Sequence, residues 1–90
     1  MNTRTLSMYV LRALAGAQSE GRRTNLETLV DELQVRRRDV RSVVTTLHQQ
    51  GLVDVIHMRL TLEGFALGRA LLKQTLPALR LTAERGVAAA

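Results

Sequence analysis

Arg36, Arg37 and Arg38 stand side by side, and Arg41, Ser42, Thr45 and Gln49 follow them closely. Arginine's planar fork pairs bidentately with a phosphate or with the edge of a guanine. Ser, Thr and Gln supply the neutral donors and acceptors that reach phosphate oxygens and base edges. The chemistry these types imply is recognition of an anion, not bond making. No carboxylate pair, no nucleophile beside a base and no phosphate loop of the G-x-x-x-x-G-K kind is present, so an enzyme is not expected. His48 and His57 are the only histidines and there is no cysteine. No metal site, disulfide framework or cofactor is expected from so few ligands.

Those polar residues need a helix to display them, and the spacing predicts one. Val40, Val43, Val44 and Leu47 recur at helical intervals up to about Gln50. With the valines turned inward, a wheel of about 100° per residue sets Arg38, Ser42, Thr45 and Gln49 opposite the core, with Arg41 beside them. The arginine run then lies at a helix N-terminus, where the dipole disfavours each cation by about 0.3–1 kcal/mol. A docked anion explains that placement, because helix amides and guanidinium groups would converge on one phosphate. The alternative is a solvated charge run, partly offset by Asp39.

The rest of the chain supplies the supporting elements. A first helix is expected over residues 3–17, with Leu6, Val10, Ala13, Leu14 and Ala17 on one side and a second apolar stripe of Met8, Leu11 and Ala15 on the other. Residues 18–23 read as a loop. Thr24 and Glu27 fit a capping box opening a second helix, whose stripe is Leu26, Leu29, Val30 and Leu33. Residues 34–36 allow only a tight turn. Gly51 sits where a left-handed C-cap is wanted, and residues 52–56 and 59–62 read as strands joined near His57 and Met58. A last helix runs from about residue 62 to residues 75–76. It carries Phe65, Ala66, Leu72 and Leu76 on one side and Gly64, Leu67, Gly68 and Leu71 on another, until Pro77 breaks or kinks it. Leu79 and Leu81 could add a further helical turn, and residues 86–90 should fray.

Ninety residues suffice for one domain, expected over residues 1–85. The net charge of +5 favours an anionic partner, and every basic residue but Lys73 is arginine. Nucleotide bias in a host genome would also enrich arginine. Tyr9 and Phe65 are the only aromatics, too few for the stacking platforms of single-strand binders, so duplex DNA is the favoured nucleic acid. Arg12 interrupts the apolar segment after the N-terminus, and neither an export signal nor a membrane span is expected.

The segment from Leu29 to Val35, then Val40, Val43, Val44, Leu47 and residues 51–53, resembles the helix-turn-helix of the MarR and GntR transcription regulators. Residues 60–64 (Leu-Thr-Leu-Glu-Gly) look like the exit from the wing in MarR-like and PadR-like chains. The resemblance covers about residues 24–68 and implies a winged helix-turn-helix: a mainly α fold with a small two-stranded β wing. The helix-turn-helix would span about residues 24–50, the wing 52–62 and the C-terminal helix 62–76. Two departures stand out, because Gln34 takes the place usually held by glycine and Arg36 that of a Ser or Thr N-cap. The wing tip is also short.

The function implied is sequence-specific binding of double-stranded DNA by a cytoplasmic, nucleoid-associated regulator of transcription. Arg38 and Arg41 would favour guanine, Thr45 or Gln49 would add readout, and Arg37 with Arg22 or Arg23 would clamp phosphates. Arg36, Ser42 and Arg59 complete the expected DNA-contacting set. The surplus apolar stripes imply a homodimer burying Met8, Leu11, Ala15, Leu67, Leu71 and Leu79 across a two-fold axis. G-x-x-x-G spacing at Gly64 and Gly68 signals close helix packing, within the chain or across that axis. Two alternatives remain, a winged helix that binds another protein and an accessory factor that binds DNA without sequence preference.

Overall fold

The computed structural model describes residues 2–79, in the order α1 (Thr3–Ser19), α2 (Leu26–Leu33), α3 (Arg37–Gln49), β1 (Val53–Asp54), β2 (Arg59–Leu60) and α4 (Leu62–Leu72). The chain is mainly helical with one small antiparallel sheet, an α+β arrangement.

Asn2 starts α1 by accepting hydrogen bonds from the backbone N–H groups of Arg4 and Thr5 at 2.9 and 3.2 Å. The helix runs two residues beyond the expected end. Gly21 then takes φ +71°, Gly21 N–H bonds the Gln18 carbonyl, and Arg22 N–H bonds that of Ala17 at 2.8 Å. This pair of bonds is a Schellman stop. The same device ends α3, where Gly51 at φ +76° bonds the His48 carbonyl and Leu52 N–H bonds that of Leu47.

The expected capping box at Thr24 does not form. Asn25 is the N-cap of α2, and its side-chain oxygen accepts from the Thr28 N–H at 2.8 Å. Thr24 Oγ1 is left buried without a partner, and Glu27 reaches α3 instead. Between α2 and α3, Gln34 adopts left-handed φ 55° and ψ 47°, the conformation for which glycine is the usual choice. Its side-chain amide donates to the Asp31 carbonyl at 2.7 Å, which helps hold the bend. Arg36 is the N-cap of α3 and makes no side-chain cap bond.

β1 and β2 pair with Val53 opposite Leu60 and Asp54 opposite Arg59. The strands are shorter than expected, two residues each. Asp54 holds the turn between them, accepting from the Ile56 N–H at 3.0 Å and from His57 Nδ1 at 2.8 Å. Gln18 Oε1 accepts the Leu60 N–H at 2.7 Å and so ties the hairpin to the end of α1.

Thr61 caps α4, accepting from Gly64 N–H while its hydroxyl donates to the Gly51 carbonyl. The helix ends at Leu72, several residues before Pro77. Tyr9 donates its hydroxyl to the Pro77 carbonyl at 2.7 Å, while Leu76 and Leu79 pack on the core. These contacts hold residues 73–79 along the body of the chain instead of extending the helix. Leu81 and residues 86–90 lie outside the described residues.

One core joins all of these elements: Leu6, Val10 and Leu14 of α1, Leu29 of α2, the α3 valines, and Val53 and Leu60 of the hairpin. The second stripe of α1 belongs to it as well. Leu11, Ala15 and Leu71 are 4%, 0% and 6% exposed, so the chain already buries these members of the expected dimer face. α4, which carries Leu71, covers the α1 stripe at very short range. A Cβ added at Gly68 would lie 2.6 Å from the Leu11 carbonyl oxygen, and one at Gly64 would lie 1.8 Å from that of Leu52. The G-x-x-x-G spacing therefore serves packing within the chain. Met8 and Leu79 are half-buried against the core, and only Leu67 of the six stays exposed.

Candidate functional site

Burial of Val40, Val43, Val44 and Leu47 on one side of α3 forces the other side outward. Arg38, Arg41, Ser42, Thr45 and Gln49 are all exposed there, and Thr46, which the helical wheel did not single out, is exposed as well. They form one polar face with no acidic member. Asp39, the acidic residue in the first turn, is turned inward and half-buried.

The arginines at the start of α3 are not equivalent. Arg37 Nη1 reaches Glu27 Oε1 of α2 at 2.5 Å, and Arg36 Nε lies 3.4 Å from Asp39 Oδ2. Arg22 bonds Glu20 at 2.6 Å and approaches Glu32 at 3.9 Å. Glu20 raises the Arg22 pKa further, first through its hydrogen bond and then through its charge. Arg23, Arg38, Arg41 and Arg59 have no carboxylate within ion-pair distance among the described residues. An incoming anion meets these four without first displacing an acidic neighbour. Sequence spacing did not separate the two classes, because the Arg37–Glu27 pair joins different helices.

A second collection of cations gathers beside the β1–β2 turn. Arg22 and Arg23 on one wall and His57 and Arg59 on the other line a groove of about 590 Å³ between the α1–α2 loop and the β1–β2 turn. Thr24, with its unpartnered hydroxyl, is also on the groove wall. The fold thus brings Arg22, Arg23 and Arg59 together and keeps them apart from the polar face of α3 in sequence and in element.

His48, too isolated in sequence to suggest a metal ligand, has a structural role. Its Nδ1 lies 3.0 Å from the Val53 carbonyl oxygen and must carry the proton in that bond, because a carbonyl only accepts. α3 is thereby hydrogen-bonded to β1. In the turn, the Asp54 carboxyl is held below the ordinary carboxylate range, chiefly by the hydrogen bond from His57, against a smaller opposing effect of desolvation.

Among the described residues no three His, Asp or Glu side chains gather in a metal-holding group, and no helix is long and apolar enough to cross a membrane. Comparison with protein-family models, with curated proteins and with solved structures finds no match to this chain.

Proposed function

We propose that the chain is a winged helix-turn-helix protein that binds double-stranded DNA sequence-specifically as a homodimer and regulates transcription. One observation carries the reading: the outward face of α3 consists of hydrogen-bonding side chains without an acid, and Arg38 and Arg41 on it are free of carboxylate partners among the described residues. α2, the tight turn at Gln34 and α3 then form the helix-turn-helix, and the β1–β2 hairpin is the wing. Arg38 and Arg41 read guanine, Ser42, Thr45 and Gln49 add contacts, and Arg23 and Arg59 meet phosphates. Arg36, Arg37 and Arg22 first exchange an acidic partner for phosphate, so each contributes less. The homodimer rests on the apolar surface left after α4 has docked, Leu62, Leu67 and Leu72 at 84%, 44% and 42% exposure, and no longer on Leu11, Ala15 or Leu71.

Selection from a random-duplex library at about 0.1–0.2 M salt, followed by sequencing, tests the reading. Enrichment of an inverted repeat is the expected result. Retention without any motif would favour a non-specific accessory factor. A second reading, docking on another protein, draws on the hairpin tip, where Ile56 is 83% exposed in a short turn that holds no arginine, Arg59 opening β2. Absence of any DNA retention would favour it.

A further inference from the structure

The groove between the α1–α2 loop and the hairpin turn has a one-sided hydrogen-bonding character. Gln18 spends its carbonyl oxygen on the Leu60 N–H, and Asn25 spends its own on the cap of α2. Each still has its NH₂ group to offer as a donor. Arg22, Arg23 and Arg59 add guanidinium donors, and no lining residue is acidic. His57 Nδ1 donates to Asp54, so its Nε2 adds a further donor only in the imidazolium form. The Thr24 hydroxyl is buried with no partner, a deficit that a ligand atom could meet. A lining so rich in donors is complementary to a ligand that mainly accepts.

Its other features narrow the class. About 590 Å³ lies within the range of small-molecule sites and is far larger than a bare oxyanion requires. Leu14 at the base and Ile56 and Met58 on the hairpin side add apolar surface for a carbon skeleton. Arg23 lines the groove from the α1–α2 loop and Arg59 from the hairpin, and neither is ion-paired among the described residues. A tetrahedral dianion presents acceptor oxygens in several directions and so suits donors that come from two segments, whereas a planar carboxylate is matched by one fork.

We propose that this groove binds a phosphomonoester carried on a small organic body, and that its occupancy opposes DNA binding by occupying Arg23 and Arg59. The second clause rests on the DNA-binding reading; the first does not. If the same arginines serve as phosphate contacts, ligand and duplex compete for them, and the linkage is reciprocal.

The test uses the full chain labelled with ¹⁵N and titrated with phenyl phosphate, with inorganic phosphate, benzoate and benzamide as comparisons. Saturable shifts confined to residues 18–25 and 56–60, with a dissociation constant of about 1 mM or below, are expected for phenyl phosphate. Inorganic phosphate and benzamide should bind at least about tenfold more weakly, and Arg23→Ala and Arg59→Ala should each weaken phenyl phosphate by about tenfold, as loss of a charge-assisted hydrogen bond does. Thr24→Val, close to isosteric, should weaken it by a smaller factor while the amide spectrum elsewhere stays unchanged. Equal affinity for benzamide, indifference to both arginine variants, or shifts spread over every arginine-bearing surface would overturn the proposal. Benzoate binding as tightly as phenyl phosphate would overturn the phosphomonoester assignment. The regulatory clause is read separately, from a selected duplex in the presence of saturating phenyl phosphate. Undiminished duplex affinity, or failure to select any duplex, would overturn that clause alone and leave the ligand result standing.

Discussion

Arg38 and Arg37 are neighbours in sequence with opposite circumstances: Arg38 is exposed without an acidic partner among the described residues, and Arg37 is held by Glu27 across the α2–α3 turn. If α3 reads base edges, Arg38→Ala is expected to cost about 1–3 kcal/mol of operator affinity and to relax specificity at one position. Arg37→Ala should cost less, because its contact with phosphate is offset by the ion pair that must be broken. Quantitative binding of both variants to the selected duplex checks the ranking; an Arg37 effect larger than that of Arg38 would refute the assignment of roles. Asp54 carries a pH-dependent expectation of its own. Its folded pKa lies below the ordinary value, so its contribution to hairpin stability is present above the unfolded carboxylate pKa and is lost as pH falls through the folded one. Amide shifts of Ile56 and His57 should therefore report loosening of the turn in acid, below the ordinary carboxylate range. Asp54→Asn should remove that transition, whereas retention of it in the variant would point to another group.

The elements make their own demands. Asn25, not Thr24, closes the first turn of α2. Asn25→Ala should lower stability by about 1 kcal/mol in denaturant unfolding. Thr24→Val should be neutral or stabilising, since it replaces a buried hydroxyl that has no partner. An equal loss from both would mean that Thr24 caps the helix after all. Gly68 lies where α4 crosses α1, and its replacement by Ala would drive a methyl group against the Leu11 backbone and the Ala15 side chain. A loss of about 1–3 kcal/mol is expected, because backbone cannot yield as a flexible side chain can. Unchanged thermal unfolding of that variant would contradict the close crossing.

At the scale of the whole molecule, α4 has two neighbours to satisfy and the structure assigns one of them. The α1 stripe of Leu11 and Ala15 takes its Gly68 side, Gly64 packs on the Leu52 backbone, and Leu67 and Leu72 are left on its flanks. A homodimer, if formed, uses those flanks. Leu67→Glu with Leu72→Glu should shift sedimentation from dimer to monomer with the helical content unchanged. Wild-type protein sedimenting as a monomer across micromolar concentrations would end the homodimer proposal and leave the basic faces to act singly. In either state, affinity for duplex should fall steeply with salt, by a slope of roughly 0.9 per phosphate neutralised.

Much of the local structure is legible in the sequence, because the signals that set it are local. Helical spacing of apolar residues specifies α1, α2 and α3, Gly51 specifies the stop after α3, and the valines of α3 specify which of its residues face outward. The same short-range logic misplaces the α2 cap by one residue, since Thr24 and Asn25 are both suitable caps and their final backbone angles decide between them. Tertiary structure alone decides what lies far apart in sequence. It sets which arginines are paired, since Glu27 and Arg37 meet only when α2 folds against α3. It gathers Arg22, Arg23 and Arg59 around one groove, and it buries the second stripe of α1 under α4 in the same chain. An apolar stripe records that a surface must be covered. Which partner covers it depends on the path of the chain in three dimensions, and periodicity carries no information about that path.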